Sequence, residues 1–173
     1  GIPSVVYGFF GLVIIVPFVR LLGPGTGLSV LAASLILGIM ILPTVITVAQ
    51  SALDAVPARY YEGALALGVD HEHAVFKVVA PAAASGIMAA IVLGLGRAIG
   101  ETMAVVMVAG NMPIIPDSLL SGVRTMTANI VLEMGYAADL HREALIATGV
   151  VLFVFILLIT MLLNVIRKRG EAR

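Results

Sequence analysis

The chain has 173 residues, of which 61% are hydrophobic and 12% are charged, and its formal net charge at pH 7 is zero. Globular domains are about one quarter charged, so the composition argues against a water-soluble domain and favours a membrane protein. The zero net charge gives no overall basic field for nucleic acid, and the absence of cysteine excludes disulfides and thiol chemistry.

Four segments are apolar and long enough to cross a bilayer, which takes about 20 residues for a hydrocarbon core of about 30 Å. Lipid requires the backbone to bond within the segment, and this favours helices. The predicted spans are residues 5–22, 28–49, 86–110 and 144–166. A buried helical core of a soluble protein is the alternative, but four such runs leave too little polar surface. We therefore predict an all-α polytopic membrane protein, with residues 1–173 forming a single domain.

The start of the chain does not look like the start of a protein. It begins at Gly1 rather than Met and enters an apolar run without a signal-peptide pattern. We expect these residues to be a fragment of a longer chain.

Residues 51–82 form a polar segment between the second and third predicted spans, which we call the island. Pro57 suits the first turn of a helix, Gly68 can take a positive φ and end it, and Asp70 is a candidate N-cap for the next helix. The island is thus predicted to be two short helices joined at a glycine turn, typical of a docking element. An amphipathic connector lying on the membrane surface is the alternative.

A second alternative for the island is a helix-turn-helix core that binds DNA. Its second helix contains Asp70, Glu72 and only one basic residue, Lys77. A DNA-binding helix needs basic residues there, so this alternative is disfavoured.

The island contains a glutamate, two small residues, a glycine and a proline at fixed intervals: Glu62, Gly63, Ala64, Gly68 and Pro81. This spacing resembles the EAA loop of ABC-importer permeases, which reads Glu-Ala-Ala, three residues, Gly, nine residues, Ile-x-Leu-Pro. The chain departs from that pattern at Gly63, Val78 and Ala80, each time with a small or aliphatic residue. The resemblance implies that Glu62, Gly63, Ala64 and Gly68 dock on an ATP-hydrolysing subunit. It also implies that the island is a cytoplasmic coupling loop.

Two charged residues, Arg97 and Glu101, lie inside the third predicted span. They are four residues apart, which would place them on one face of a helix. A charge inside a bilayer costs several kcal/mol unless it is paired or hydrated, so one interpretation is mutual neutralisation. The other is a polar patch lining a substrate path, because a guanidinium can donate two hydrogen bonds to an oxyanion.

The stretch GRAIGETMAVVMVAGN around these two residues closely resembles the PstC permeases of phosphate ABC importers. GIPSVVYGFFG at the start, and TANIVLEMGYA and LHREALIATGVVLFVFIL near the end, resemble them too. The resemblance covers the chain and implies the last four spans of a six-helix, MetI-like permease that translocates inorganic phosphate. It also implies the partners: a PstB-like ATPase, a second, PstA-like permease and a periplasmic, PstS-like phosphate-binding protein.

Two other functions remain open at this point: a permease for another oxyanion, such as sulfate or molybdate, and a membrane scaffold that transports nothing. The chain has no GxxxxGK[ST] phosphate loop and no Cys/His cluster. We therefore expect no enzymatic activity and no cofactor or metal of its own, with ATP hydrolysed by a partner.

Basic residues predict the orientation, because cytoplasmic loops are rich in Lys and Arg. Six lie on the side of the island and the C-terminus, and three lie on the opposite side. The first set is Arg59, Lys77, Arg167, Lys168, Arg169 and Arg173, and the second is Arg20, Arg124 and Arg142. The island and the C-terminus are thus predicted to be cytoplasmic, in a bacterial or archaeal plasma membrane. Residues 111–143 would form a long external loop, in which Thr127–Tyr136 is predicted to be an amphipathic helix.

Overall fold

The structure is a computed structural model that describes residues 2–171, with side chains described as far as Val165 in the last helix. Arg173 and the side chains of Arg167, Lys168 and Arg169, used in the orientation prediction, lie outside the described part. Apart from one isolated bridge between Gly110 and Val123, the described residues contain no β-structure. The described helices are α1 (Ser4–Arg20), α2 (Val30–Asp54), α3 (Ala58–Ala66), α4 (His71–Ala82), α5 (Ala84–Gly100), α6 (Met103–Val108), α7 (Met126–Glu133) and α8 (Asp139–Glu171).

Two of the described helices, α2 and α8, are long and apolar enough to cross a membrane. A third candidate is α4 together with α5, which are bent by 69° at the break between them, and α1 is a shorter apolar helix. Each predicted span therefore has a helical counterpart, although the number of membrane crossings stays a prediction. The segment 86–110 is not one helix, because α5 ends at Gly100 and α6 begins at Met103.

The chain divides into two compact units. The first contains the residues up to Ile41 together with Arg97–Leu157, and the second contains Leu42–Gly96 and the residues from Leu158 onward. The core of the first unit comes from α1, α2 and the α6 segment: Val16, Val19, Ala32, Ala33, Ile36, Val105, Val108 and Ala109. Gly8 lets α1 approach α6 closely, since a Cβ there would lie 3.0 Å from the Ala104 Cα. Small residues serve helix packing in membranes in this way.

The N-terminus of α2 is anchored in the same unit. A helix start leaves four backbone N–H groups without partners inside the helix. Here Ser29 N–H donates to the Val108 carbonyl at 3.0 Å, Val30 N–H to Ser121 at 3.0 Å and Leu31 N–H to Leu119 at 2.8 Å. The buried Ser29 hydroxyl accepts from the N–H of Ala32 at 3.2 Å. The loop after α6 is thereby attached to the start of α2.

In the second unit, the end of α2 packs against the start of α5. A Cβ built on Gly86 would lie 2.4 Å from the Cβ of Ala52, so only glycine fits there. The chain between these two helices is the island.

Candidate functional site

The island has the predicted helix–glycine turn–helix form. Gly68 follows the end of α3 with a φ of 81°, and its neighbour Val69 donates its N–H to the Ala64 carbonyl at 3.2 Å. A left-handed residue just after a helix is a common way to bond its last carbonyl groups. Asp70 caps α4 as predicted, because its carboxylate accepts from the His73 N–H at 2.9 Å. Hydrogen bonds from the His73 backbone and ring lower the pKa of Asp70 below its usual value.

The two island helices are held together by small buried residues and one polar contact. Ala64 on α3 and Ala74 on α4 are both buried. The hydroxyl of Tyr61 and Nδ1 of His71 lie 2.8 Å apart and are hydrogen-bonded, with the two rings edge to face. The island is therefore built as one unit rather than as two independent helices.

The outer surface of the island carries exposed apolar side chains beside polar ones. Leu67 is 86% exposed and Phe76 is 73% exposed. Glu62, Gly63 and Gly68 are also exposed, whereas Ala64 is buried. Of the four residues expected to dock, three are thus accessible and Ala64 is not. Exposed apolar groups of this kind mark protein or membrane contact sites.

Arg97 and Glu101 are not brought together. Arg97 lies in the last turn of α5 and is exposed, and no ion pair or hydrogen bond of its side chain occurs among the described residues. Glu101 lies in the break after α5, so the prediction that both share one helical face is wrong. Its carboxylate accepts from the Ala104 N–H at 3.2 Å, and its carbonyl accepts from the Thr127 hydroxyl at 3.3 Å. Mutual neutralisation therefore does not occur in this structure.

A polar cluster in the loop 111–143 was not predicted from the sequence. The Arg124 guanidinium lies 2.6 Å from one carboxylate oxygen of Glu133, and its Nε donates to the Asn111 carbonyl at 2.9 Å. His141 lies 3.4 Å from the other oxygen of Glu133. This cluster connects α7, the loop before it and the start of α8. The only signal in the sequence was the position of Glu133 on the polar side of α7.

Acid should weaken this cluster. A hydrogen bond from the Tyr136 hydroxyl, with a smaller contribution from Arg124, lowers the pKa of Glu133 below its usual value of 4.5. A carboxyl group whose pKa is lowered in the folded state stabilises the protein at pH values above its unfolded pKa. This stabilisation is lost as the pH falls through the lower, folded-state pKa. We expect Glu133→Gln to lower the melting temperature at pH 7 and to flatten its decline below pH ~4.5. Thermal unfolding in detergent across this pH range measures both effects.

Glu143→Gln is the matched control, because Glu143 is exposed near the start of α8. It should keep the pH dependence of the parent protein. If Glu133→Gln keeps it as well, the Glu133 cluster does not carry the acid sensitivity.

The whole chain matches one protein family. The family described as the inner membrane component of binding-protein-dependent transport systems matches residues 1–171. The chain belongs to this family. The predicted family and the predicted all-helical membrane fold are thus confirmed.

The individual relatives are named as permease proteins of transport systems. The chain is 40% identical over 174 residues to the probable ABC transporter permease protein YqgH of Bacillus subtilis, covering 99% of this chain and 56% of that one. It is 35% identical to the phosphate transport system permease protein PstC of Mesorhizobium japonicum, covering 100% of this chain and 59% of the relative. For PstC 1 of Mycobacterium tuberculosis the identity is 34%, with coverages of 100% and 57%. The chain thus spans under two thirds of the length of these relatives, and no solved structure matches it significantly.

Family membership places the described helices in a membrane. A component of the inner membrane is an integral membrane protein, in agreement with the length and apolarity of α2 and α8. The family places the chain in the inner membrane component of a binding-protein-dependent transport system.

Proposed function

We propose that this permease chain forms part of the translocation path of an ABC importer for inorganic phosphate. The observation that carries the proposal is Arg97, an exposed guanidinium at the end of an apolar helix. A charge in an apolar helix is costly unless something pairs with it or hydrates it. A planar, permanently charged donor suits a tetrahedral oxyanion, to which it can donate two hydrogen bonds.

A structural alternative for Arg97 is stabilisation of the helix end. Cations in the last turn of a helix interact favourably with its dipole, typically by about 0.3–1 kcal/mol. That gain is smaller than the several kcal/mol of an unpaired charge in a bilayer. The helix dipole alone therefore does not account for an arginine at this position, and an anion in a hydrated path does.

We assign Glu101 to the proposed path because it lies in the break between α5 and α6, and not because of any contact with Arg97. By bonding to the Ala104 N–H and the Thr127 hydroxyl, it holds the break between α5 and α6. Non-helical backbone within a membrane protein is tolerated where it lines a cavity or is buried in protein. We place Glu101 at the wall of the path, where its carboxylate stabilises the start of α6 by accepting from the Ala104 N–H.

The island is the proposed contact with an ATP-hydrolysing subunit, with Glu62, Gly63 and Gly68 on its accessible surface. Its compact construction, fixed by Ala64, Ala74 and the Tyr61–His71 bond, suits a lever that moves as one piece. α4 leads into α5 through the bend at Ala83, and α5 carries Arg97 at its other end. Closure of the ATPase subunits on ATP would thus be transmitted along α4 and α5.

The proposed assembly contains a PstB-like ATPase, a PstA-like second permease and a PstS-like binding protein outside the membrane. The island and the C-terminus face the cytoplasm in this arrangement, as the distribution of basic residues favours. Phosphate as cargo is supported by the names of relatives such as PstC of Mesorhizobium japonicum. The Bacillus subtilis relative has a name without any anion, and another oxyanion is therefore the second candidate.

Competition between anions tests the cargo. We expect ATP-dependent uptake of labelled phosphate into cells or vesicles containing the assembled transporter to be suppressed by unlabelled phosphate and unaffected by equal sulfate or molybdate. Vesicles loaded with a non-hydrolysable ATP analogue are the control. Suppression by sulfate or molybdate instead would assign the path to that anion, and the absence of any ATP-dependent uptake would favour the scaffold alternative.

A further inference from the structure

The first unit carries an exposed apolar surface around the turn after α1 and the loop after α6. We call it the end patch, and its members are large aliphatic side chains after α1 and in the loop after α6. They are Leu21, Leu22, Met112, Ile114, Ile115 and Leu119. Ile115 is 94% exposed and Leu21 is 84% exposed. A loop in water does not normally keep so many large apolar groups exposed together.

The two parts of the end patch belong to one surface. A Cβ built on Gly23 would lie 2.6 Å from a methyl group of Leu120, so the turn after α1 packs directly on the loop. The loop is also bonded to the start of α2 through the carbonyl groups of Leu119 and Ser121. A cavity of about 610 Å³ lies between turn and loop, with Leu28 and Met112 on its apolar wall and Thr26 among its polar atoms.

Charge is nearly absent from this surface. In residues 21–31 and 108–123, Asp117 is the only charged residue. Its carboxylate accepts a hydrogen bond from the Ser121 hydroxyl, within the same loop. A site for a soluble protein usually has a polar and charged rim around its apolar centre, whereas the loop here contributes one charged side chain and the turn none.

Part of the loop backbone is bonded within the unit, and the rest is free to bond headgroups or water at the membrane boundary. Residues 113 and 116 are prolines, which have no N–H group to satisfy. The Leu119 and Ser121 carbonyl groups are bonded to α2, and the Leu120 N–H donates to the Ser118 hydroxyl at 3.1 Å. Irregular chain with unbonded backbone groups is excluded from the hydrocarbon core, so the loop fits the headgroup boundary rather than the bilayer centre.

The exposed face of α1 continues into the end patch. Val13 and Phe18 on α1 are more than half exposed, and Leu21 and Leu22 follow directly after its last residue. Arg20, also exposed, would lie at this level, where a long basic side chain can reach the phosphate groups of lipids. An apolar helix face in a membrane protein is thus extended without interruption by the turn and the loop.

We infer that the end patch inserts into the bilayer at the boundary between headgroups and acyl chains, so that residues 112–119 are a lipid-contacting anchor rather than an aqueous external loop. This anchor would fix the start of α2 and the turn after α1 at the membrane boundary. The inference requires only membrane insertion of the chain. It stands or falls independently of phosphate, of Arg97 and of the direction in which the chain is inserted.

Spin labelling tests this inference, because the chain contains no cysteine and each introduced one is unique in it. Ile115→Cys and Leu119→Cys carry a nitroxide in the transporter reconstituted in vesicles of phosphatidylethanolamine and phosphatidylglycerol. Oxygen concentrates in lipid, whereas a nickel chelate stays in water, and both speed the relaxation of an accessible label. Ala138→Cys, in the exposed segment before α8, is the water-facing control, and unmutated chain in the same complex gives the background.

We expect both labels in the loop to relax faster with oxygen and more slowly with the nickel chelate than the label at residue 138. Nickel accessibility equal to that control would show an aqueous loop and overturn the inference. Low accessibility to both reagents would show a protein partner on the patch and overturn it as well, as would protection that appears only when a solute-binding protein is added. The side chains replaced are exposed, so folding should be retained, and gel filtration of each variant verifies this.

Discussion

Replacing Arg97 with glutamine is expected to reduce phosphate uptake by about 10- to 100-fold at limiting phosphate, while the complex still assembles. The estimate follows from the roughly 1.5–3 kcal/mol that a hydrogen bond to a charged group contributes, at about 1.4 kcal/mol per factor of ten. Arg97 is exposed and makes no described contact to another side chain, so its loss should leave the packing intact. Initial rates of labelled phosphate uptake, normalised to permease content, measure the effect.

Two further substitutions separate charge from geometry. Arg97→Lys keeps the charge but loses the planar pair of donors, and it should fall between the parent and Arg97→Gln. Arg142→Gln removes an exposed arginine from the start of α8 and should leave uptake near the parent rate. Normal uptake by Arg97→Gln would remove Arg97 from the path. A loss of co-purification with the ATPase would instead assign it a structural role.

The sequence predicted the form of the island because the determinants there are local. The turn and the helix ends are defined within 14 residues of chain, 57–70. Pro57 precedes α3, Gly68 is free to adopt a positive φ, and Asp70 caps α4. The contact between Tyr61 and His71 was not foreseen, although both residues lie in the island. It depends on how the two helices fold back on each other, and helical spacing within each does not encode that.

The break at Glu101 and Thr102 was missed for a related reason. Residues 86–110 are apolar apart from three positions, which is the pattern of one continuous span. The structure interrupts the helix where Glu101 bonds to Ala104 and to Thr127, and Thr127 is 26 residues away in sequence. The pairing of Arg124 with Glu133 is likewise set by the fold. The hydrophobic periodicity of a sequence indicates which side of a helix is polar, but not which distant residue that side contacts.

The predicted spans and the helices have different ends, because hydropathy marks the lipid boundary rather than the end of the helix. The fourth predicted span was 144–166, whereas α8 begins at Asp139 and is described as far as Glu171. Likewise α2 runs to Asp54, five residues beyond the predicted span and into the island. Helices continue into the polar region wherever their hydrogen bonds and neighbours allow it.

Replacing Gly68 with valine is expected to abolish most of the association with the ATPase, and uptake with it. Gly68 has a φ of 81°, a region that costs an ordinary L-residue about 1–2 kcal/mol and a β-branched one more. The turn would therefore open, and the bond from the Val69 N–H to the Ala64 carbonyl would be lost. A change of about 1.4 kcal/mol or more in docking corresponds to at least a tenfold weaker complex. Co-purification of the ATPase with tagged permease, alongside uptake, measures this.

Two glycine variants make the result specific to the turn. Asparagine tolerates the left-handed region better than other L-residues, so Gly68→Asn should retain much of the association that Gly68→Val loses. Gly63→Ala lies inside α3 with open space around the added Cβ, and alanine favours a helix by up to about 1 kcal/mol over glycine. It should bind the ATPase at least as well as the parent. Unchanged co-purification for Gly68→Val would separate the turn from docking. A loss with Gly63→Ala would instead mean that the exposed face of α3 contacts the ATPase too closely for a methyl group.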